Sequence, residues 1–173
     1  MKLSWSGPRN GINVSSQPES GTSFTVLLPE VVSEAAVVKE VLSPIPQGQG
    51  RILVIDDEKM LIELHQEMLA SLGYEAVAQT SSLEALKIFQ AQPDKFDLVI
   101  TDQTMPHMTG MQLSQEIIRI RPDIPIILCT GYSEKVSEEK IKGMGINELL
   151  MKPINLRHLA EAVRKVLDRE DRQ

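Results

Sequence analysis

From Arg51 onward, short apolar runs alternate with helix-length amphipathic segments, a rhythm absent from the first fifty residues. The runs are RILVI (51–55), EAVAQ (75–79), DLVI (97–100), PIILC (125–129) and ELLM (148–151). They are short, contain β-branched residues and lack consistent alternation, as strands buried on both faces of a parallel sheet do. The first intervening helix, Lys59 to Leu72, is predicted to bury Leu61, Leu64, Met68 and Leu72, and to stop at Gly73 as a left-handed cap. The second opens with SSLE, where Ser81 can cap the helix and Glu84 can return the bond. Three more run from about Gly110 to Ile120, Glu134 to Lys142 and Leu156 to Leu167, the last with a stripe of Leu156, Leu159, Ala160, Val163 and Leu167. Five strand–helix units with short connections predict an α/β protein with an open, doubly wound parallel sheet. Ligands of such sheets bind at the carboxyl ends of the strands.

Length and charge narrow the picture. A chain of 173 residues holds one ordinary domain plus a remainder. The net charge of −6, with no block of basic residues, argues against a nucleic-acid partner. The single cysteine, Cys129, excludes an internal disulfide and reads as a small core residue of a protein kept in a reducing compartment. No segment approaches the roughly 18 apolar residues of a membrane span, and MKLSWSGPRN lacks the apolar core of a signal peptide, so the expected location is cytoplasmic.

The residues at the strand ends carry the chemistry. In LVITDQTMPHMTG (98–110) a buried run ends abruptly on a carboxylate, Asp102. Asp56 and Asp57 follow the first strand, Thr130 ends the fourth and Lys152 follows the fifth. Two carboxylates 4 Å apart repel by about 4 kcal/mol at an effective dielectric near 20, so three in one crevice require a cation. A hard divalent ion such as Mg²⁺ suits oxygen ligands and accepts phosphate oxygens as well. Lys152 adds a mobile point charge for a phosphoryl oxygen, and Thr130 a hydroxyl donor. The set looks built for a carboxylate that becomes phosphorylated. Taken singly, each has a plainer reading: Asp56 or Asp57 as a cap, Lys152 as a solvated side chain, Thr130 as turn chemistry.

VIDDE, ITDQTMPHMTG, CTG and LMKP, in that order on the right strands, make residues 51–170 resemble the receiver domain of two-component response regulators. The spacings of 46, 28 and 22 residues between Asp56, Asp102, Thr130 and Lys152 fit the resemblance. It implies a (βα)₅ flavodoxin-like sheet in the order 2-1-3-4-5, with Asp102 as nucleophile and phosphoacceptor. Asp57 and Asp102 would ligate Mg²⁺ with the backbone carbonyl of Thr104, while Asp56 acts through a bound water. Thr130 would move in to hydrogen-bond the acyl phosphate, Lys152 would pair with it, and Pro153 would follow a cis bond. Thr104 and Tyr132 occupy the two variable positions that influence phosphoryl lifetime, and bulky Tyr132 is expected to shield the phosphate from water. One position departs from the pattern: three residues before the lysine, where receivers usually carry Tyr or Phe, stands Leu149. His65, His107 and His158 are dispersed without metal-ligand spacing, and Met105, Met108 and Met111 read as loop packing.

GINVSSQPESGTSFTVLLPE (11–30) reads as a β-hairpin of INVSS and TSFTVLLP. It is similar to the last hairpin of a histidine-kinase ATP-binding domain, in which a GTxFxxxLP ending is common. Neither a phosphoacceptor-histidine helix nor a nucleotide-binding motif accompanies it, so ATP binding is not expected. The domain expectation is therefore a kinase remnant over 1–30, a linker over 31–50 containing SPIPQGQG, and a receiver over 51–170.

The functional expectation is a receiver of a hybrid histidine kinase that takes a phosphoryl group from a histidine kinase or histidine phosphotransfer protein. No output domain is expected after LDREDRQ, so the result is relay, feedback or protein binding. The expected homodimer contacts are the fourth and fifth helices or the N-terminal hairpin. Two alternatives belong to other classes. One is a phosphorylation-independent interaction module, for which Leu149 leaves room. The other is an aspartate-nucleophile phosphohydrolase, against which Thr104 counts because such enzymes carry a second Asp there.

Overall fold

All five predicted runs form strands of one parallel sheet in the computed structural model, which describes residues 4–6, 11–17, 21–27, 44–131, 141 and 143–170. The strands are β4 (Arg51–Ile55), β5 (Glu75–Gln79), β6 (Leu98–Asp102), β7 (Ile126–Thr130) and β8 (Glu148–Met151), numbered after three N-terminal strands described below. They lie in the order β5-β4-β6-β7-β8, which is 2-1-3-4-5 within this unit. Every pair is parallel, with Ile55 opposite Thr101, Asp102 opposite Cys129 and Thr130 opposite Met151. β6 and β7 are buried along their whole length, the apolar runs as expected and the polar ends Thr101, Asp102 and Thr130 with them.

Helices α1 (Lys59–Ser71), α2 (Ser82–Ala91), α3 (Gly110–Ile120) and α4 (Leu156–Glu170) connect or follow these strands. The fourth predicted helix, Glu134 to Lys142, lies outside the described residues except for Ile141, which is buried. Two apolar clusters form on the two sides of the sheet strands. One contains Ile62, Leu69, Leu159 and Val163, the other Phe89, Leu113, Ile117 and Ile141. Cys129 belongs to the first, and burial pushes its thiol up to about 12.

Two helical details differ from expectation. α1 buries Ile62, His65 and Leu69, while Leu64 is exposed. The helix has two apolar stripes, and the polar His65 hid the one that faces the core. At α2, the Ser81 side chain accepts from the Glu84 N–H, but the Glu84 carboxylate pairs with Lys87 at 2.8 Å instead of returning a bond. Gly73, just past α1, has φ +95° as a left-handed cap requires. The complete capping box belongs to α3, where Thr109 and Gln112 bond reciprocally.

The chain divides into two units, Met1–Leu42 and Ser43–Gln173. The expected hairpin is present as β2 (Gly11–Gln17) and β3 (Gly21–Leu27), antiparallel, but a third strand, β1 (Ser4–Ser6), pairs with β2. Three residues, SWS, are too few to show a period, so the sequence did not reveal it. Ile12, Phe24, Val26 and Leu27 are exposed, while Leu28 lies outside the described residues.

Candidate functional site

The strand ends of β4, β6, β7 and β8 bring together the residues singled out by sequence. Asp56 and Asp102 are buried, 2% and 6% exposed, and the Lys152 ammonium bridges them at 2.9 Å and 2.6 Å. Each carboxylate is also held by the backbone of its own loop: Asp56 Oδ1 accepts from the Glu58 N–H at 2.9 Å, and Asp102 Oδ2 from the Thr104 N–H at 2.8 Å. Burial opposes the charge on Lys152, but its hydrogen bonds to Asp102 and Asp56 outweigh burial and hold it well above the usual lysine range. Lys152 is therefore an ammonium throughout the neutral range. The pair's contribution to stability through this lysine is present below the unfolded pKa and is lost only as the pH climbs through the raised one.

Thr130, 1% exposed, ends β7; its hydroxyl donates to the Gly131 carbonyl at 3.4 Å, and its own carbonyl accepts from the Lys152 N–H at 2.8 Å. Thr130 and Lys152 are thus tied through the backbone. The Lys152–Pro153 peptide bond is cis. Leu149 is partly buried against the Phe89–Leu113 cluster, an aliphatic packing residue at the position where an aromatic ring was absent from the sequence. Tyr132 lies outside the described residues. Asp57 is exposed, and among the described residues no three His, Cys, Asp or Glu side chains stand close enough to hold a metal ion. The structure brings Asp56 and Asp102 together through Lys152, while the Asp57 side chain is exposed.

The donor set nevertheless suits a hard dication. Two buried carboxylates share one ammonium, which leaves a formal excess of one negative charge on oxygen there, and the exposed Asp57 carboxylate is next in the chain. Two further residues, not recognised in the sequence as part of the site, support it. Gln103, 9% exposed, accepts from the Met111 N–H through its side chain, while its carbonyl accepts from the Gly110 N–H. It fixes the loop between Asp102 and α3, and a glutamine in a loop gives no sequence signal of that work. His65 lies in the core 5% exposed, near enough to feel Asp56, Lys152 and Asp102.

The model for the response regulator receiver domain family matches residues 52–164. The chain belongs to this family. It is a receiver domain of two-component signalling, and the phosphoacceptor role is the family's function. It is similar to the sensor kinase CckA of Brucella abortus (strain 2308), 30% identical over 165 residues, covering 90% of this chain and 18% of that protein. It is also similar to the sensor protein GacS of Pseudomonas syringae pv. syringae, 30% identical over 143 residues, covering 80% of this chain and 16% of that one. A solved receiver domain from Clostridium thermocellum superposes with a TM-score of 0.67 at 33% identity, covering 70% of this chain and 96% of its own. The chain thus spans less than a fifth of the length of these sensor kinases. Among the described residues no helix is long and apolar enough to cross a membrane.

Burial holds the His65 imidazole below the usual histidine range; Asp56 and Asp102 pull it upward, and Lys152 acts with burial. A lowered folded pKa means that the unfolded chain binds the proton more readily. Receiver stability should accordingly fall as the pH drops from about 6.5 through the lowered folded value, and level off below it. His65→Leu should remove that part of the pH dependence, read from urea midpoints in chelator between about pH 8 and pH 5.

His107, in the loop after Asp102, has φ +67° and an exposed side chain. The left-handed region costs a side-chain-bearing residue about 1–2 kcal/mol, and glycine returns part of the gain through a more flexible unfolded chain. His107→Gly should stabilise the receiver by about 0.5–1 kcal/mol, visible as a higher urea midpoint.

Proposed function

We propose that Asp102 is the phosphoacceptor and that this receiver takes its phosphoryl group from a phosphohistidine on a histidine kinase or histidine phosphotransfer protein, in the cytoplasm. The observation that carries this reading is the Lys152 ammonium shared between two buried strand-end carboxylates, one of them pinned by the Thr104 N–H. A structural ion pair needs one carboxylate; a second buried one beside it is costly and fits a group that reacts.

Asp57, Asp102 and the Thr104 carbonyl would hold Mg²⁺ directly, and Asp56 through water. When bound, Mg²⁺ supplies charge neutralisation for the carboxylates and the phosphoryl oxygens. The residues do the rest. The Thr104 N–H orients the Asp102 carboxylate, an oxygen of which attacks phosphorus as the P–N bond breaks and its electron pair leaves on the imidazole. Lys152, charged throughout, moves from carboxylate to phosphoryl oxygen without a proton transfer. The Thr130 hydroxyl, which donates to the Gly131 carbonyl at 3.4 Å, turns to the new acyl phosphate. Water later attacks phosphorus and regenerates the carboxylate, so the domain takes part in its own dephosphorylation.

The same reading makes the N-terminal unit the end of a kinase ATP-binding domain. The similarity to CckA leaves only a tenth of this chain unmatched, fewer residues than precede β3, so it includes that strand. A two-component response regulator of Arabidopsis thaliana, by contrast, covers 69% of the chain. Relay within or from a hybrid kinase fits this difference.

The test is incubation with Mg²⁺ and a small acyl phosphate donor, followed by intact mass. One phosphoryl group per chain is expected, with the rate falling about a hundredfold or more when Mg²⁺ is chelated. No modification in Mg²⁺ would overturn the reading in favour of a phosphorylation-independent module.

A further inference from the structure

Residues 47–50, expected to end a linker, are bound to the receiver. The Gly48 N–H donates to the Leu72 carbonyl at 3.0 Å, the Glu75 N–H to the Gly50 carbonyl at 2.9 Å, and Arg164 Nη1 of α4 to the Gln47 carbonyl at 3.4 Å. The fit is steric as well. A Cβ on Gly48 would overlap the Tyr74 hydroxyl and stand 2.6 Å from Cζ, and one on Gly73 would overlap the Gly48 carbonyl oxygen. Tyr74 is 5% exposed, and its phenol is raised by burial, with Arg164 and Asp168 of α4 acting on it in opposite senses. Arg164 is itself anchored to Asp168 at 2.7 Å.

We propose that Gln47–Gly50 is a docked strap, latched to the turn Leu72–Glu75 by backbone bonds and to α4 by Arg164, so that α4 governs whether the chain ahead of it is held or released. α4 begins at Leu156, four residues beyond Lys152, so a change at the acceptor reaches Arg164 along one rigid helix. Release frees four residues and adds up to about 14 Å of reach to the connector. The latch stands on contacts alone; only its trigger rests on the phosphoacceptor reading.

Amide hydrogen exchange on the full chain tests it. In the wild type, Gly48 and Glu75 should exchange more than about tenfold slower than unstructured amides. Arg164→Gln should raise exchange at Gly48 by about tenfold while β6 and β7 stay unchanged. Gly48→Ala should release both amides, and adding Tyr74→Ala should restore protection in part, since it vacates the space the new methyl needs. An unprotected Gly48 in the wild type overturns the strap, and indifference to Arg164→Gln overturns the latch on α4. In a sample shown by mass to be phosphorylated, Gly48 exchange should shift by about threefold or more, in keeping with reciprocal coupling. An unchanged rate there overturns the trigger. A chain that takes up no phosphoryl group instead counts against the acceptor reading and leaves the first two outcomes to decide the latch.

Discussion

Asp102→Asn is expected to reduce phosphorylation by an acyl phosphate donor in Mg²⁺ to below detection, with the fold intact by circular dichroism. The amide is nearly isosteric, and its oxygen can still accept from the Thr104 N–H that holds Oδ2 at 2.8 Å, so the loop has no reason to rearrange. What is lost is the anionic nucleophile, since an amide nitrogen or oxygen does not form a stable acyl phosphate. Lys152 keeps its bond to Asp56 at 2.9 Å, so the variant does not strand a buried cation. Intact mass checks the outcome. Phosphorylation continuing at the wild-type rate would place the acceptor on another residue and reduce Asp102 to a partner of Lys152.

Gly110→Ala is expected to destabilise the receiver by about 3 kcal/mol, the upper end for forcing one methyl into a packed interior. Gly110 opens α3 against the backbone of Asp102: a Cβ there would overlap the carbonyl oxygen of Asp102 and lie 2.6 Å from Leu128 Cδ1. Neither neighbour yields easily. The Asp102 carbonyl belongs to the central strand and accepts from Thr101 Oγ1 at 3.1 Å, while the Gly110 N–H is committed to the Gln103 carbonyl at 3.0 Å. Urea unfolding measures the loss. A phosphorylation assay on the folded fraction should show a slower rate too, because the displaced carbonyl belongs to the residue that carries the acceptor. A change below about 0.5 kcal/mol would mean that α3 can shift away from β6 without cost.

The parts of this protein legible in its sequence are those in which a local pattern and a global constraint coincide. Uninterrupted apolar runs such as IILC could be read as doubly buried strands, and a charge at the end of such a run, Asp102, could be read as part of a polar cluster at the strand ends because burial without a partner is costly. Lys152 followed from the same electrostatics. Features built from tertiary contact were not legible. The core face of α1 was misassigned because Leu61 and Leu64 offered a second stripe, and only packing against the sheet selects Ile62, His65 and Leu69. Gln103 bonds to a backbone N–H eight residues away in the folded chain, and no spacing rule anticipates that. The bonds of Gln47–Gly50 join residues whose Gln and Gly content resembles linker, because binding through main-chain groups needs small side chains as much as flexibility does. Glu84 had two partners within reach, and the lysine one turn on prevailed over the cap.

β6 is the third of five strands, buried from end to end and hydrogen-bonded on both sides. The proposed acceptor therefore stands on a central, fully buried strand, where a displacement of even one methyl's width would disturb both halves of the core. Phosphorylation at Asp102, as proposed, would not be announced by motion of the strand that bears it. If Asp102 is the acceptor, the change has to be redistributed sideways, through Thr130 at the end of β7 and Lys152 just past the edge strand β8, into the helices and connections. The stiff middle works as a fulcrum, and any partner that distinguishes the two states must grip the margins.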